Sequence, residues 1–146
     1  MESQSEDKYK LERFVEAQND VYDTVLAELS QGRKESHWMW FIFPQREDLG
    51  FSYFSKYYGL SGVDEARAYL KHALLNERLR EVCNILLRQP ISDAREIFGG
   101  IDSRKLCSSM TIFDMVEPNS VYADVLSKFF DGHRCRRTLD IIKTEE

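Results

Sequence analysis

Apolar residues recur at intervals of three and four along most of this 146-residue chain. That spacing places them on one face of an α-helix. The clearest case is the N-terminal helix, whose shared face contains Leu11, Phe14, Val15, Val21, Tyr22, Val25, Leu26 and Leu29. Gly32 follows directly, where glycine commonly ends a helix. The alternation that marks half-buried strands is absent from the sequence, so we predict an all-α, multihelical fold.

Two further helix starts are predicted from capping residues. Ser61 and Asp64 have the spacing of a capping box with Asp in the Glu position, and the helix they open should run to about His72. Asp102 is placed to cap a later helix, on which Leu106 and Met110 lie four residues apart.

The length and composition favour one compact domain. A chain of this size buries about 68–70% of its unfolded surface without a disulfide or metal. We expect a polar N-terminal tail over 1–8, a single helical domain over 9–142 and a charged tail over 143–146.

Charge and hydropathy exclude several classes of function. Lys and Arg number 20 against 25 for Asp and Glu, a net charge of -5, which argues against a nucleic-acid-binding protein. The longest apolar run, 38–43, is far shorter than the roughly 20 residues of a membrane span, so we expect no membrane association. The acidic, polar N-terminus resembles neither a secretory signal nor a transit peptide, and a cytoplasmic location is predicted.

The cysteines and histidines predict neither a disulfide nor a metal site. The three histidines are isolated from one another, and no pair of cysteines has the close spacing of a zinc or redox motif. We therefore expect no metal and no cofactor. Cys83 and Cys107 are interpreted as small core residues. For Cys135, beside four basic residues that lower a thiol pKa, an ordinary thiol is favoured and a reactive surface thiol is the alternative.

One candidate site segment is Ser36–Gln45, the densest aromatic stretch of the chain. Its two Trp and two Phe, bracketed by His37 and Gln45, have the composition of a ligand pocket or simply of a core. Periodicity does not decide between a short helix and a strand here, and Pro44 ends either one. His37 is the best candidate acid or base, because the pKa of histidine lies nearest neutrality.

The second candidate segment follows Asp102. On a helix begun there, Lys105 shares a face with Ser108 and Ser109, and a lysine with two hydroxyls near a helix N-terminus suits an anion. The alternative is that Lys105 reaches solvent while the serines bond back to the helix. The basic cluster at His133, Arg134, Arg136 and Arg137 is most typical of a solvated loop, with a contact to a phosphate-bearing ligand as the minority interpretation.

Matching strings across the chain identify it as resembling domain-of-unknown-function family 1810, whose bacterial members often carry the misleading label "calpastatin". The strings are Leu11–Gln18, Ser36–Gln45, Glu65–Leu70, Ile97–Gly99, Asp102 with Lys105, and Ser108–Phe113. This resemblance implies a single multihelical domain and no assigned activity. The loop Gly132–Thr138 departs from the family's usual acidic residue and proline, which implies a different ligand preference if the loop shapes a site. A fainter likeness, without a full motif, is to the ADP-ribose-linked N-glycosidase family.

Two hypotheses of function follow. In the favoured one, His37, Trp38, Trp40 and Gln45 form one wall of a pocket for a small anionic, nucleotide-like or ADP-ribose-like metabolite. Lys105, Ser108 and Ser109 hold the anionic group, and hydrolase or N-glycosidase-type activity is an open extension. This requires the two segments to converge in the fold. The alternative is a non-catalytic domain that docks a protein partner through Ser36–Gln45, which requires Trp38 and Trp40 to be exposed.

Overall fold

The fold is all-α, as the apolar spacing predicts. A computed structural model describes residues 7–49 and 52–145, so positions 1–6 and 146 of the two predicted tails lie outside it. Over the described ranges the helices are α1 (Glu12–Ser30), α2 (Met39–Ile42), α3 (Tyr53–Tyr57), α4 (Val63–Lys71), α5 (Ala73–Arg88), α6 (Ala94–Val116), α7 (Val121–Phe130) and α8 (Arg136–Glu145). Because α8 reaches Glu145, helix continues into the segment predicted as a charged tail.

Two long helices organise the core. Helix α5 packs against α1 and α7, while α6 packs against α4, α7 and α8. The apolar faces of these helices meet in one cluster of buried side chains that includes Phe14, Leu79, Phe113 and Tyr122. Burial of this apolar area is the main stabilising contribution to the fold.

The start of α4 differs from the predicted capping box. Gly62 occupies the N-cap position and makes no side-chain cap. Instead the buried Glu65 accepts hydrogen bonds from the backbone N–H of Ser61 at 2.9 Å and from its hydroxyl at 3.0 Å. Glu65 also pairs with Arg13 of α1 at 2.9 Å. The prediction that Asp64 completes the box is therefore wrong, because the carboxylate one residue later reaches back.

Helix α6 is broken at Gly99, before the turn that carries Asp102 and Lys105. Gly99 has φ 81° and ψ 172°, a conformation that a residue with a Cβ rarely adopts. Asp102 lies inside the helix after the break, so the prediction that it is an N-cap is wrong. Its carboxylate pairs with Lys34 at 2.9 Å and with Lys105 at 3.7 Å.

Candidate functional site

A cavity of about 510 Å³ opens between α6, the start of α8 and the loop after α2. It contains polar, basic and apolar side chains. The lining residues are Gln45, Leu49, Ile101, Arg104, Lys105, Cys107, Ser108, Phe130, Cys135 and Arg137. Gln45, Lys105 and Ser108 belong to the two segments singled out in the sequence, and the fold brings them to this one cavity although about 60 positions separate the segments.

Gln45 is positioned by its backbone. Its carbonyl accepts a hydrogen bond from the N–H of Leu60 at 2.7 Å, and the N–H of Glu47 bonds back to the Leu60 carbonyl at 2.9 Å. Gly59 allows this approach, because a Cβ there would lie 2.2 Å from the Cα of Glu47. Among the described residues, the Gln45 amide has no hydrogen-bond partner, so its donor and acceptor are available at the cavity.

Lys105 and Ser108 lie three residues apart on α6 and face the cavity together. The ammonium of Lys105 lies 3.7 Å from Asp102. The Ser108 hydroxyl lies 3.2 Å from both the Arg104 carbonyl and the Cys135 sulfur. Ser108 thus bonds back to its helix, as the alternative interpretation held, and also contacts a second lining residue.

Trp40 lies beside the cavity and does not line it. The Lys105 ammonium stands 5.2 Å from the centre of its indole ring, and the ring of Phe54 packs at 5.2 Å from it. A small void of about 10 Å³ is lined by Trp40, Gln45 and Lys105, so it adjoins the cavity through the last two residues. Trp40 therefore contacts Lys105, which lines the cavity, and does not itself line the cavity.

Trp38 lies in the core instead of at the cavity. It is fully buried, and its indole N–H donates to Glu28 at 2.9 Å. Burial alone would raise the pKa of Glu28, but hydrogen bonds from Ser36, from the Glu35 backbone and from Trp38 outweigh it and lower the pKa to about 2. The Glu28 carboxylate thus fixes the start of the aromatic segment to α1.

His37 and Ser109, the other two predicted site residues, do not line the cavity either. His37 is exposed, and within the described ranges its side chain has no hydrogen-bond partner. Ser109 is fully buried, and its hydroxyl has no hydrogen-bond partner among the described residues. Neighbouring residues on a helix point about 100° apart, so Ser108 and Ser109 cannot share one small site.

The geometry does not favour docking of a partner through Ser36–Gln45. Trp38, Met39 and Phe43 are buried, and Trp40 is half-buried. Exposed aromatic side chains lie instead on α3, where Tyr53 is 71% exposed.

The cavity also contains residues outside the set that the favoured hypothesis placed in the pocket. Arg137 and Cys135 belong to the segment interpreted as a basic surface loop, and Arg104 precedes Lys105. Arg134 of the same cluster points elsewhere and pairs with the buried Asp114 at 2.6 Å. The signal available was the run of basic residues around Cys135. Only the fold shows which of them face α6.

Cys107 and Cys135 both line the cavity, and their thiols differ in acidity. Burial, together with the nearby Cys135, raises the pKa of Cys107 to about 11. Burial also acts to raise the pKa of Cys135, but the Ser108 hydroxyl, the Thr138 hydroxyl and the first backbone N–H groups of α8 favour the charged form and bring the pKa below its usual value. All three cysteines are free thiols.

The described ranges contain no helix with the length and hydropathy needed to cross a bilayer. They also contain no group of three or more His, Cys, Asp or Glu side chains suited to a metal ion.

Comparison with known proteins places the chain in a family. A search of curated proteins found no match. The crystal structure of the conserved hypothetical protein Rv1873 from Mycobacterium tuberculosis is similar, with 44% identity and a TM-score of 0.88 over 91% of this chain and 96% of that one. Residues 8–142 match the profile of the protein family of unknown function DUF1810. The chain therefore belongs to the DUF1810 family.

Proposed function

We propose that the cavity binds a small anionic metabolite, nucleotide-like or ADP-ribose-like. The observation that carries this proposal is its charge: Arg104, Lys105 and Arg137 line it, and the lining residues include no acidic side chain. Basic side chains gathered in a concave, low-dielectric site attract an anion more strongly than the same charges spread over a surface.

The size and chemistry of the wall support a metabolite larger than an inorganic ion. A volume of about 510 Å³ lies within the range of small-molecule sites. Leu49, Ile101 and Phe130 offer apolar surface, and Gln45 offers an amide donor and acceptor. An anionic group bound by the basic residues would leave the uncharged part of the ligand against this apolar surface.

Nearby acidic groups reduce the positive charge only in part. Asp102 pairs with Lys105, and Asp48 pairs with Arg46 at 2.9 Å while interacting with Arg137. Arg104 forms no ion pair within the described ranges. Its guanidinium is therefore a free partner for a carboxylate or phosphate, which it can bind through two N–H groups.

The lining residues support binding of a ligand, whereas its hydrolysis would need a further group beside the cavity. Acid–base hydrolysis needs a carboxylate or imidazole beside the reacting bond, and the lining residues include neither.

We infer a cytoplasmic site of action, since three free thiols suit a reducing compartment.

The test is a thermal-shift screen against nucleotides, NAD derivatives, ADP-ribose and phosphorylated metabolites. A ligand at about 100 times its Kd stabilises the fold by about 2.7 kcal/mol, a rise in Tm of roughly 5–10 °C for a domain of this size. We expect Lys105→Ala and Arg137→Ala to remove most of that rise. Lys71→Ala and Arg33→Ala, which delete exposed basic side chains away from the cavity, should keep it. A hit that survives both cavity variants, or a screen with no hit, would refute the proposal.

A further inference from the structure

The position of Cys135 suggests a chemical role within this cavity. It is the residue directly before α8, and it is half-buried on the cavity wall. Its backbone N–H donates to the Thr111 hydroxyl at 2.9 Å, and that hydroxyl donates to the Cys107 carbonyl at 2.7 Å. The start of α8 is thereby tied to α6, which holds the sulfur beside Ser108.

The groups around the sulfur are donors that a negative charge would satisfy. The Ser108 hydroxyl, itself nine-tenths buried, lies 3.2 Å away, and a thiolate would compete with the Arg104 carbonyl for its single proton. The backbone N–H groups of Arg137 and Thr138, in the first turn of α8, also lower the pKa of the Cys135 thiol. Free N–H groups at a helix N-terminus stabilise an anion there.

Thr138 supplies a second observation. Its side chain is fully buried, and its hydroxyl has no hydrogen-bond partner among the described residues. Buried hydroxyls in stable folds normally have a partner, so this one calls for a physical explanation. Thr138 is among the groups that lower the pKa of Cys135, so a thiolate there would be the acceptor that this hydroxyl lacks.

Cys107 gives an internal comparison within the same cavity. Its sulfur contacts the His133 carbonyl at 3.8 Å, an acceptor that favours the protonated thiol. Cys83 is fully buried in the core, away from the cavity, and burial raises its pKa strongly. Among the three cysteines, Cys135 therefore combines access to the cavity with donors for its charged form.

We propose that Cys135 is a nucleophile toward anionic electrophiles that the cavity binds, which rests on the proposed function. The ligand class is a small carboxylate- or phosphate-bearing molecule with a carbon that carries a leaving group. The thiolate sulfur attacks that carbon, an S–C bond forms, and the bond to the leaving group breaks with its electron pair on the leaving group. Arg104, Lys105 and Arg137 hold the anionic part, and no oxidant or reductant is required.

Paired alkylating probes test this selectivity. Iodoacetate is anionic and iodoacetamide is neutral, while both transfer a similar group to sulfur and release iodide. Repulsion makes iodoacetate the slower reagent for a free thiolate such as N-acetylcysteine. We expect the ratio of iodoacetate to iodoacetamide rates at Cys135 to exceed that of N-acetylcysteine by about tenfold, measured by intact mass and peptide mapping. A ratio equal to that of the free thiol, or faster labelling of Cys107, would overturn the proposal.

Variants of the wall separate nucleophilicity from selectivity. Cys135→Ser should remove the fast labelling, and Cys107→Ser should retain it. Arg137→Ala should lower the iodoacetate preference while iodoacetamide labelling continues. Ser108→Ala should slow both reagents, whereas Ser109→Ala, a matched change on the buried side of α6, should not. An unchanged iodoacetate preference in Arg137→Ala, with its fold intact by circular dichroism, would contradict selection by the cavity charge.

The proposed binding function is tested separately, by measuring the rise in Tm of the Cys135→Ser variant in the presence of the phosphorylated metabolites. A shift retained in this variant, together with slow and unselective labelling of the wild-type protein, overturns the nucleophile and leaves the anion cavity standing. Absence of any shift in the wild-type protein, together with labelling that ignores probe charge, overturns both.

Discussion

Glu28 offers a quantitative test of how the aromatic segment is attached to α1. Its carboxylate accepts hydrogen bonds from the Glu35 N–H at 2.8 Å, from the Ser36 N–H at 3.0 Å and hydroxyl at 2.5 Å, and from Trp38. These bonds lower its pKa from 4.5 to about 2. Because one pKa unit corresponds to about 1.4 kcal/mol, the shift corresponds to roughly 3 kcal/mol, and partial exposure of the carboxylate reduces the expectation to about 2 kcal/mol.

The perturbation is Glu28→Gln, followed by urea denaturation from pH 7 to pH 3. The native pKa of Glu28 lies below the unfolded one, so its contribution is present above about pH 4.5 and disappears as the pH falls toward 2. We expect the variant to lose about 2 kcal/mol at pH 7, or roughly 6 °C in Tm, and less than half of that at pH 3. Glu35→Gln makes the same charge change at an exposed neighbour and should be neutral. A loss at pH 7 that stays constant down to pH 3 would refute the reasoning.

Two structural predictions follow from close contacts elsewhere. Gly59→Ala should lower the free energy of unfolding, measured by urea denaturation, by about 3 kcal/mol, because its Cβ would lie 2.2 Å from the Glu47 Cα. Gly100→Ala, whose Cβ would have no atom within 4 Å, should be neutral or stabilising. Equal effects of the two substitutions would contradict this packing. Arg134→Ala should lower the free energy of unfolding by about 2 kcal/mol, because it leaves the buried Asp114 carboxylate unpaired. Arg136→Ala, a control at an exposed arginine, should change stability little. A neutral Arg134→Ala would show that the pair does not stabilise the fold.

The helices could be predicted from the sequence because each buries one apolar face. The 3.6-residue apolar period is visible in the sequences of α1 and α5, and Gly32 follows α1 as expected. Capping was less predictable, since Ser61 and Asp102 each have more than one carboxylate or cation within reach. Which partner wins depends on where other helices pack.

The candidate site was predictable to the extent that it depends on helical spacing. Lys105 and Ser108 share a face of α6, and that face lines the cavity. Core packing was one of the two interpretations of the aromatic segment, and Trp38 is a core residue. The sequence did not identify the partner of its indole N–H, the Glu28 carboxylate ten positions earlier. Arg137 and Cys135 reach the cavity through the packing of α8 on α6, a tertiary contact that no local pattern encodes.

The pairing of Asp102 with two lysines gives related chains a way to differ in ligand preference. Its carboxylate is shared between Lys105 at the cavity and Lys34 in the loop after α1, although neither Asp102 nor Lys34 lines the cavity. A neutral side chain at position 102 would leave both ammonium groups uncompensated, while loss of Lys34 would give Lys105 sole use of the carboxylate. Substitutions at these two outlying positions can therefore adapt the cavity to more or less highly charged ligands while every wall residue stays the same.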